Sequence, residues 1–444
     1  MFKKLLLLLP CGLALAMAIS FLDARCAAQT QLGTVSLQNN GGPVQCPSGR
    51  GFDSKMTCYE ANVSCPSTEQ ITLYYGVENP SGQALGTIVM LSGDGGEQFL
   101  GSSEDYVQPY VSAQYQVIEA VWGTATDSQT QSWEYTNTPT SPGTGFAFSI
   151  LNAACRPATF LNWVRNGNPG YPVGSGIWAG ANGAPAGMCV HANSGGAGAV
   201  GYALAWYSAG VGGPPQWGQG YIDRAELENG PVFSDIQQGC EITNGVNSQS
   251  TYICANGDTE PGCGPTWYQG TSAFDLSLEY DDGDEGWVAA WSQNPKQPLC
   301  SQTPSCGASS GTSCAAQNQS WYDMSIVHSA TGQQPSFNYP STAISGWLCE
   351  GVGGSSPVNN SASQGQLFFN QFQSTSQTFS LSVNAAQNCP VNEDVEDAIV
   401  YYNGEYYGAP GGQGQGGAPQ AIIDDMTVGQ LSCHALGLNR MGGS

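Results

Sequence analysis

The sequence predicts an α/β protein: a three-layer sandwich in which a mostly parallel, twisted sheet carries helices on both faces. The first observation is a continuous apolar run in "GTIVMLSGDGG" (86–96), typical of a strand buried on both faces, followed by a second predicted buried strand, "YQVIEAVWG" (115–123). The second is the alternation of such runs with helical stretches. Strand, helix, strand, helix in this order favours right-handed crossover connections and a parallel sheet.

The first 28 residues are predicted to be a secretory signal peptide rather than part of the fold. They contain Lys3 and Lys4, a leucine-rich core and small residues at Ala27 and Ala28. A retained membrane anchor is the alternative, but the apolar run is short for a bilayer span. We therefore expect a secreted, periplasmic or extracellular protein with no membrane contact after cleavage.

The core elements follow in chain order after an irregular segment at 29–55. Segments 56–65 and 70–80 alternate between apolar and polar residues, which indicates antiparallel strands. The predicted parallel strands and the helices between them are, in order, strand 86–96, helix 97–113, strand 115–123, helix 156–166, strand 188–192, helix 195–209 and a strand within 221–233. After an interruption the pattern resumes with strands 322–330 and 378–386 and a closing helix, 421–437.

Residues 240–320 interrupt the alternation and divide the core into 56–239 and 321–444. They carry many turn residues, an acidic run and six cysteines: Cys240, Cys254, Cys263, Cys300, Cys306 and Cys314. We interpret this segment as a disulfide-rich cap inserted over one end of the sheet. Since an exported chain favours disulfides, most of the cysteines outside the leader are expected to be paired.

Composition excludes several classes of function. The chain has 34 acidic and 10 basic residues, a formal charge of −24, which disfavours nucleic acid as a partner. It has no Cys-x-x-Cys pair and only three histidines, so a zinc site is not expected. No metal or other cofactor is predicted, and the oligomeric state is left open.

A small-residue turn at Ala192-Asn193-Ser194-Gly195-Gly196 joins a predicted strand to an apolar helix. A nucleophile on such a sharp turn needs very small neighbours, and the backbone N–H after it can hold an oxyanion at the start of the helix. Ser194 is therefore a candidate nucleophile and Gly195 a candidate oxyanion donor. The other interpretation is a close packing corner between strand and helix.

A second glycine-rich loop, "LSGDGGEQF" (91–99), follows the first buried strand. Its backbone N–H groups can turn toward a site beside Ser194 and supply the second oxyanion donor. Gly95 and Gly96 are the candidate donors, with the backbone of Glu97 as a further one.

On these two motifs and the strands between them, residues 56–437 resemble the α/β-hydrolase superfamily, and more loosely its secreted, disulfide-bearing carboxylesterases. The resemblance implies an eight-stranded, mostly parallel sheet and a triad in the order nucleophile, acid, histidine. An acid is then expected after the strand that corresponds to 322–330, but the loop that follows it contains no Asp or Glu.

The acid and the base are consequently open. Asp394 is the predicted acid, and Glu393, Asp235 and Glu228 are the alternatives. His434 satisfies the expected chain order and is the predicted base, and a Cys433–Cys389 disulfide would clamp it. His328 is the alternative base, while His191 is interpreted as a buried structural residue.

These residues predict a secreted serine hydrolase that cleaves a carboxylic ester, from a small molecule or a polymer, through an acyl-enzyme on Ser194. A second interpretation is a catalytically degenerate hydrolase-fold protein with a binding or structural role. A third is an extracellular adhesive or sugar-binding protein in which Ser194 serves only packing.

Overall fold

The computed structural model describes most of the sheet and the helices that pack on it. The described residues are 31–66, 68–93, 96, 103–123, 133–134, 150–168, 176–181, 184–210, 220–228, 230–236, 252–253, 259–260, 324–328, 335–340, 342–349, 361–372, 378–384, 400–402, 405–407 and 418–442. The predicted leader and all but four residues of the predicted cap lie outside them.

A nine-stranded sheet forms the centre of the fold, with strand order β1-β2-β3-β5-β4-β6-β7-β10-β11. Its strands are β1 (Thr34–Leu37), β2 (Thr57–Cys65), β3 (Thr68–Glu78), β4 (Gly86–Leu91), β5 (Tyr115–Trp122), β6 (Gly187–Asn193), β7 (Arg224–Glu228), β10 (Ala343–Cys349) and β11 (Thr378–Asn384). Two short hairpins complete the strands, β8 (Tyr252–Ile253) with β9 (Thr259–Glu260) and β12 (Val400–Tyr402) with β13 (Glu405–Tyr407).

The six strands from β5 to β11 in the sheet are parallel, while β1, β2 and β3 are antiparallel to their neighbours. The predicted fold class is thereby confirmed. The sheet differs from the prediction in one edge strand. This strand, β1, lies in the segment predicted to be irregular and pairs with β2. Both β4 and β5 are buried along their whole length, as predicted for the strands at 86–96 and 115–123.

The helices are α1 (Ser103–Ser112), α2 (Ile150–Ala153), α3 (Cys155–Asn166), α4 (Ser194–Trp206), α5 (Ser361–Phe369), α6 (Ala418–Thr427) and α7 (Cys433–Gly442), with a 3-10 turn at Asn39–Gly41. Helices α3, α4 and α5 pack into one apolar core, and α1, α6 and α7 into the core on the opposite face of the sheet. Among the described helices, none combines the length and apolarity that a bilayer span requires.

Two predicted elements are wrong. Residues 324–328 form no strand, and the strand between β7 and β11 is β10 instead. The apolar stretch "MSIV" imitates a strand because its side chains pack against α4 rather than within the sheet. The closing helix is also two helices, α6 and α7, separated by a turn in which Gly429 has a φ of +87°, a left-handed conformation that ends a helix.

Three disulfides lie among the described residues: Cys46–Cys58, Cys65–Cys155 and Cys189–Cys433. The expected Cys433–Cys389 bond is wrong, because Cys433 is bonded to Cys189 on β6. This bond fixes the start of α7 to β6, and Gly187 and Gly437 permit the close approach. A Cβ atom at Gly187 would lie 1.9 Å from the Cys433 carbonyl oxygen, and one at Gly437 2.3 Å from the Ala186 carbonyl carbon.

Candidate active site

The turn from β6 into α4 lies against the carboxyl end of β4. Strand β6 ends at Asn193, and α4 begins at Ser194. A Cβ atom on Gly196 would lie 2.4 Å from the Ser92 carbonyl oxygen and 2.5 Å from that of Leu91. Only glycine allows this approach, which brings the first turn of α4 beside the start of the glycine-rich loop.

Gly195 lies in the first turn of α4, where backbone N–H groups have no intrahelical acceptor. Gly96 does not match its predicted role as a donor. Its N–H donates to the Gly93 carbonyl at 2.9 Å and its own carbonyl accepts from Trp122 N–H at 2.7 Å, so both groups are used within the loop. Gly95 and Glu97 lie outside the described residues.

His434 lies at the wrong edge of the sheet to serve as the base for Ser194. Its Nδ1 is 2.9 Å from the carbonyl oxygen of Leu85, the residue before β4, and its neighbour Cys433 is bonded to Cys189 near the start of β6. Ser194 follows the opposite end of β6. The six steps between the residues of β6 measure about 3.3 Å each, so the two ends of this strand lie about 20 Å apart. Asp394 and Glu393 lie outside the described residues.

His191 is a buried structural residue, as expected. It is 1 % exposed, with Nδ1 3.2 Å from the Tyr110 hydroxyl and Nε2 3.3 Å from Glu228 Oε2. Burial, and after it the carboxylates of Glu226 and Glu228, raises the pKa of Tyr110 well above its ordinary value. The phenol therefore stays protonated, and its hydroxyl shares a hydrogen bond with His191 Nδ1.

The two alternative site residues, Asp235 and His328, are brought together. His328 Nε2 lies 2.9 Å from Asp235 Oδ2, and the two side chains are 24 % and 12 % exposed. The Asp235 backbone is fixed on both sides by Gln364 of α5, which accepts from its N–H at 2.7 Å and donates to its carbonyl at 3.2 Å. The backbone of Asp235 is therefore held in place, and both side chains of the pair keep partial contact with solvent.

The segment that carries Asp235 runs along α4 toward the Ser194 end of the helix. A Cβ atom on Gly201 would lie 2.8 Å from Pro231 Cβ, and one on Gly198 2.9 Å from Val232 Cγ2. The segment that carries His328 is hydrogen-bonded beside it, with Ile326 N–H donating to the Phe233 carbonyl and Val327 N–H to that of Ser234. Asp235 and His328 thus follow two adjacent segments on the same side of α4.

The corrected strand assignment exposes one residue that the sequence analysis missed. In this sequence Glu350 directly follows β10, the position at which the resemblance to α/β-hydrolases implies an acid. Glu350 itself lies outside the described residues. Only a correct assignment of β10 could have drawn attention to it. Within the part of the chain that is described, no group of His, Cys, Asp and Glu side chains has the arrangement of a metal site.

No protein-family model matches the sequence, and no curated protein matches it. Solved structures with a similar arrangement include an acetyl xylan esterase from Paenibacillus sp. R4, which is 10 % identical with a TM-score of 0.39 and coverage of 82 % of this chain and 88 % of that one. Acetyl xylan esterase 1 from Thermoanaerobacterium sp. JW/SL YS485 is 10 % identical, with a TM-score of 0.37 and coverage of 82 % and 84 %. A bacterial heroin esterase is 12 % identical, with a TM-score of 0.32 and coverage of 82 % and 80 %. Because each TM-score lies below 0.5, the function proposed below rests on residues of this chain.

Proposed function

We propose that this protein is a secreted serine hydrolase that cleaves carboxylic esters, with Ser194 as nucleophile, His328 as base and Asp235 as acid. The observation that carries the proposal is the 2.9 Å contact between His328 and Asp235, in which the imidazole remains partly exposed. The three residues follow one another in the order nucleophile, acid, histidine.

In the proposed mechanism the Ser194 hydroxyl attacks the ester carbonyl and His328 takes its proton. Asp235 is bonded to Nε2, so Nδ1 is the ring nitrogen that would receive the proton. The carboxylate stabilises the imidazolium that forms. His328 then protonates the leaving alcohol. A water molecule next gives a proton to His328 and attacks the acyl carbonyl, and His328 returns the proton to the Ser194 oxygen as the carboxylic acid leaves.

The N–H of Gly195 is the proposed donor to the oxyanion, because the helix N-terminus favours negative charge there. The second donor would come from the loop that starts at Ser92. The closeness of Gly196 to Ser92 supports this assignment, since it draws the loop and the helix N-terminus together.

Charge disfavours an anionic ester as substrate. Only 10 basic residues face 34 acidic ones in the whole chain, and four of the basic residues are buried: Arg50, Arg156, Arg165 and Arg224. A surface so poor in exposed cations repels anionic substrates. The three disulfides are consistent with the proposed export, because such bonds persist in oxidising compartments.

The test is covalent labelling of the purified mature protein with a fluorophosphonate, together with turnover of short-chain aryl esters. We expect Ser194→Ala to abolish labelling and His328→Gln and Asp235→Asn to slow it strongly. His434→Gln is the matched control, since that histidine lies at the other edge of the sheet. Glu350→Gln tests the rival acid.

A folded wild type that neither labels nor turns over esters would overturn the proposal and favour the catalytically degenerate protein. Labelling that survives His328→Gln but not Glu350→Gln would keep the serine hydrolase and replace the acid–base assignment.

A further inference from the structure

Asn193 occupies the N-cap position of α4 but does not cap the helix. Asparagine is among the preferred N-cap residues because its side-chain oxygen accepts from an N–H two or three residues on. Here the Asn193 backbone is extended, with φ −113° and ψ 145°, and its side chain makes no cap hydrogen bond. The N–H groups that it would cap are those of Gly195 and Gly196.

The Asn193 side chain lies on the face of the sheet opposite α4, together with those of His191 and Glu228. Residues 191 and 193 share a face because strand side chains alternate. Asn193 and Glu228 are direct partners in the parallel pairing of β6 with β7. The carboxylate of Glu228 reaches His191, so these three side chains form one buried polar group.

Two complementary polar atoms in this group have no hydrogen-bond partner among the described residues. They are Nδ2 of Asn193, a donor, and Oε1 of Glu228, an acceptor, and both residues are 1 % exposed. Unpaired buried polar atoms are costly, and a water molecule with two polar partners is the usual remedy. A ligand that fits here must accept one hydrogen bond and donate another.

We propose that one water molecule bridges Asn193 Nδ2 and Glu228 Oε1, and that this bridge holds the Asn193 amide away from α4 so that Gly195 N–H stays available to the oxyanion. Asn193 and Glu228 are then positioning residues that act through Gly195. The inference rests on the proposed function for its catalytic half, while the bridge itself does not depend on activity.

The decisive comparison is between two substitutions of Asn193. In Asn193→Asp the new carboxylate is repelled by Glu228 and attracted by the helix N-terminus, so it caps α4 and occupies Gly195 N–H. We expect kcat to fall about 100-fold, the usual effect of losing one oxyanion donor, with KM changed less than threefold. Asn193→Ala leaves nothing to cap the helix and should lower kcat only about threefold, although it is the less conservative change.

The partner substitution supplies the rescue. Glu228→Gln offers the new carboxylate at 193 an N–H donor, so the double variant Asn193→Asp with Glu228→Gln should recover kcat to within about fivefold of wild type. Glu226→Gln is the matched control on the same face of β7, where Glu226 is bonded to Arg224 and Trp347 instead. Glu226→Gln should lower stability, but it should not lower kcat selectively while KM stays unchanged.

A purely structural role predicts the reverse order. If Asn193→Ala loses as much kcat as Asn193→Asp, or if Glu228→Gln fails to rescue a folded double variant, the proposal is overturned. High-resolution crystal structures of wild type and Asn193→Asp supply a test independent of activity. We expect a water between Asn193 and Glu228 in the first, and a carboxylate on the Gly195 or Gly196 N–H in the second.

The two proposals fail differently. The esterase proposal alone would be defeated if the wild type is inactive, its crystal structure shows the bridging water and the structure of Asn193→Asp shows the capped helix. An active wild type whose Asn193 bonds directly to Glu228, with no capping in Asn193→Asp, would defeat this inference alone.

Discussion

Two histidine–carboxylate pairs lie in the described part of the chain, and they differ chiefly in their contact with water. In the pair His328–Asp235 the side chains are 24 % and 12 % exposed, and in His191–Glu228 they are 1 % and 2 % exposed. The first pair sits on two loop segments beside α4. The second joins neighbouring strands inside the sheet, where Tyr110 completes its hydrogen bonds.

The difference shows that residue type does not decide what such a pair does. A general base must lie within hydrogen-bond reach of the proton that it takes, and of these two imidazoles only that of His328 is partly exposed. His191 has its two ring nitrogens engaged by Tyr110 and Glu228 and lies in the core, so it can hold the strand that leads to Ser194 but cannot exchange protons with a bound ester.

The largest effect on activity is expected from substitutions that break the partly exposed pair, His328–Asp235. His328→Gln and Asp235→Asn should each lower kcat/KM for an aryl ester by about 10³-fold or more, since the base or its orienting carboxylate is lost. The melting temperature should change little, because Gln364 still holds the backbone at 235. Steady-state kinetics with thermal melts as the control measure both. Activity within fivefold of wild type would contradict the assignment.

Breaking the buried pair should instead affect stability. His191→Phe removes the buried partner of Glu228 Oε2 and of the Tyr110 hydroxyl, and we expect a loss of about 3 kcal/mol in the free energy of unfolding. Urea denaturation measures it. His328→Phe, at a partly exposed position, is the matched control and should cost less than about 1 kcal/mol. Equal losses would remove the distinction between the two pairs.

A further buried carboxyl, Glu119, sharpens the comparison because the charges that raise its pKa come from other carboxyl groups. Burial, and then the nearby charges of Asp53 and Glu78, raises the pKa of Glu119 from 4.5 to about 9. Between pH 4.5 and 9 the folded protein keeps a proton that the unfolded chain releases, so this group lowers stability as the pH rises through that window.

Glu119→Gln removes that dependence. We expect the variant to gain about 1.4 kcal/mol over wild type for each pH unit above 4.5, so that it is several kcal/mol more stable at pH 8 and nearly equal to wild type at pH 4. Urea denaturation at the two pH values measures the difference. A gain of the same size at both would show that the effect does not come from ionisation.

The smallest effect is expected at the third histidine. His434→Gln loses one partly exposed hydrogen bond to the Leu85 carbonyl and should change stability by less than about 1 kcal/mol and ester turnover by less than twofold. The same kinetic and denaturation assays apply. A tenfold loss of turnover would return His434 to the site.

Most of the sheet could be predicted because its strands are local patterns. The apolar run of β4 and the alternation of β2 and β3 each fit within a dozen residues. The strand prediction for 322–330 is wrong for the same reason: the described apolar residues Met324 and Ile326 suit a strand by composition, yet they pack beside α4. That error also concealed β10 and, with it, the position of Glu350.

The sequence by itself determined most of the strands and helices, the turn at Ser194 and the need for a small residue at 196, since short-range sterics and burial fix all of these. Only the tertiary structure decided which histidine meets which carboxylate. Asp235 and His328 are 93 residues apart, with the predicted cap between them, and Cys433 carries His434 to the far edge of β6. Such pairings depend on how distant segments pack, and no local pattern of residues encodes them.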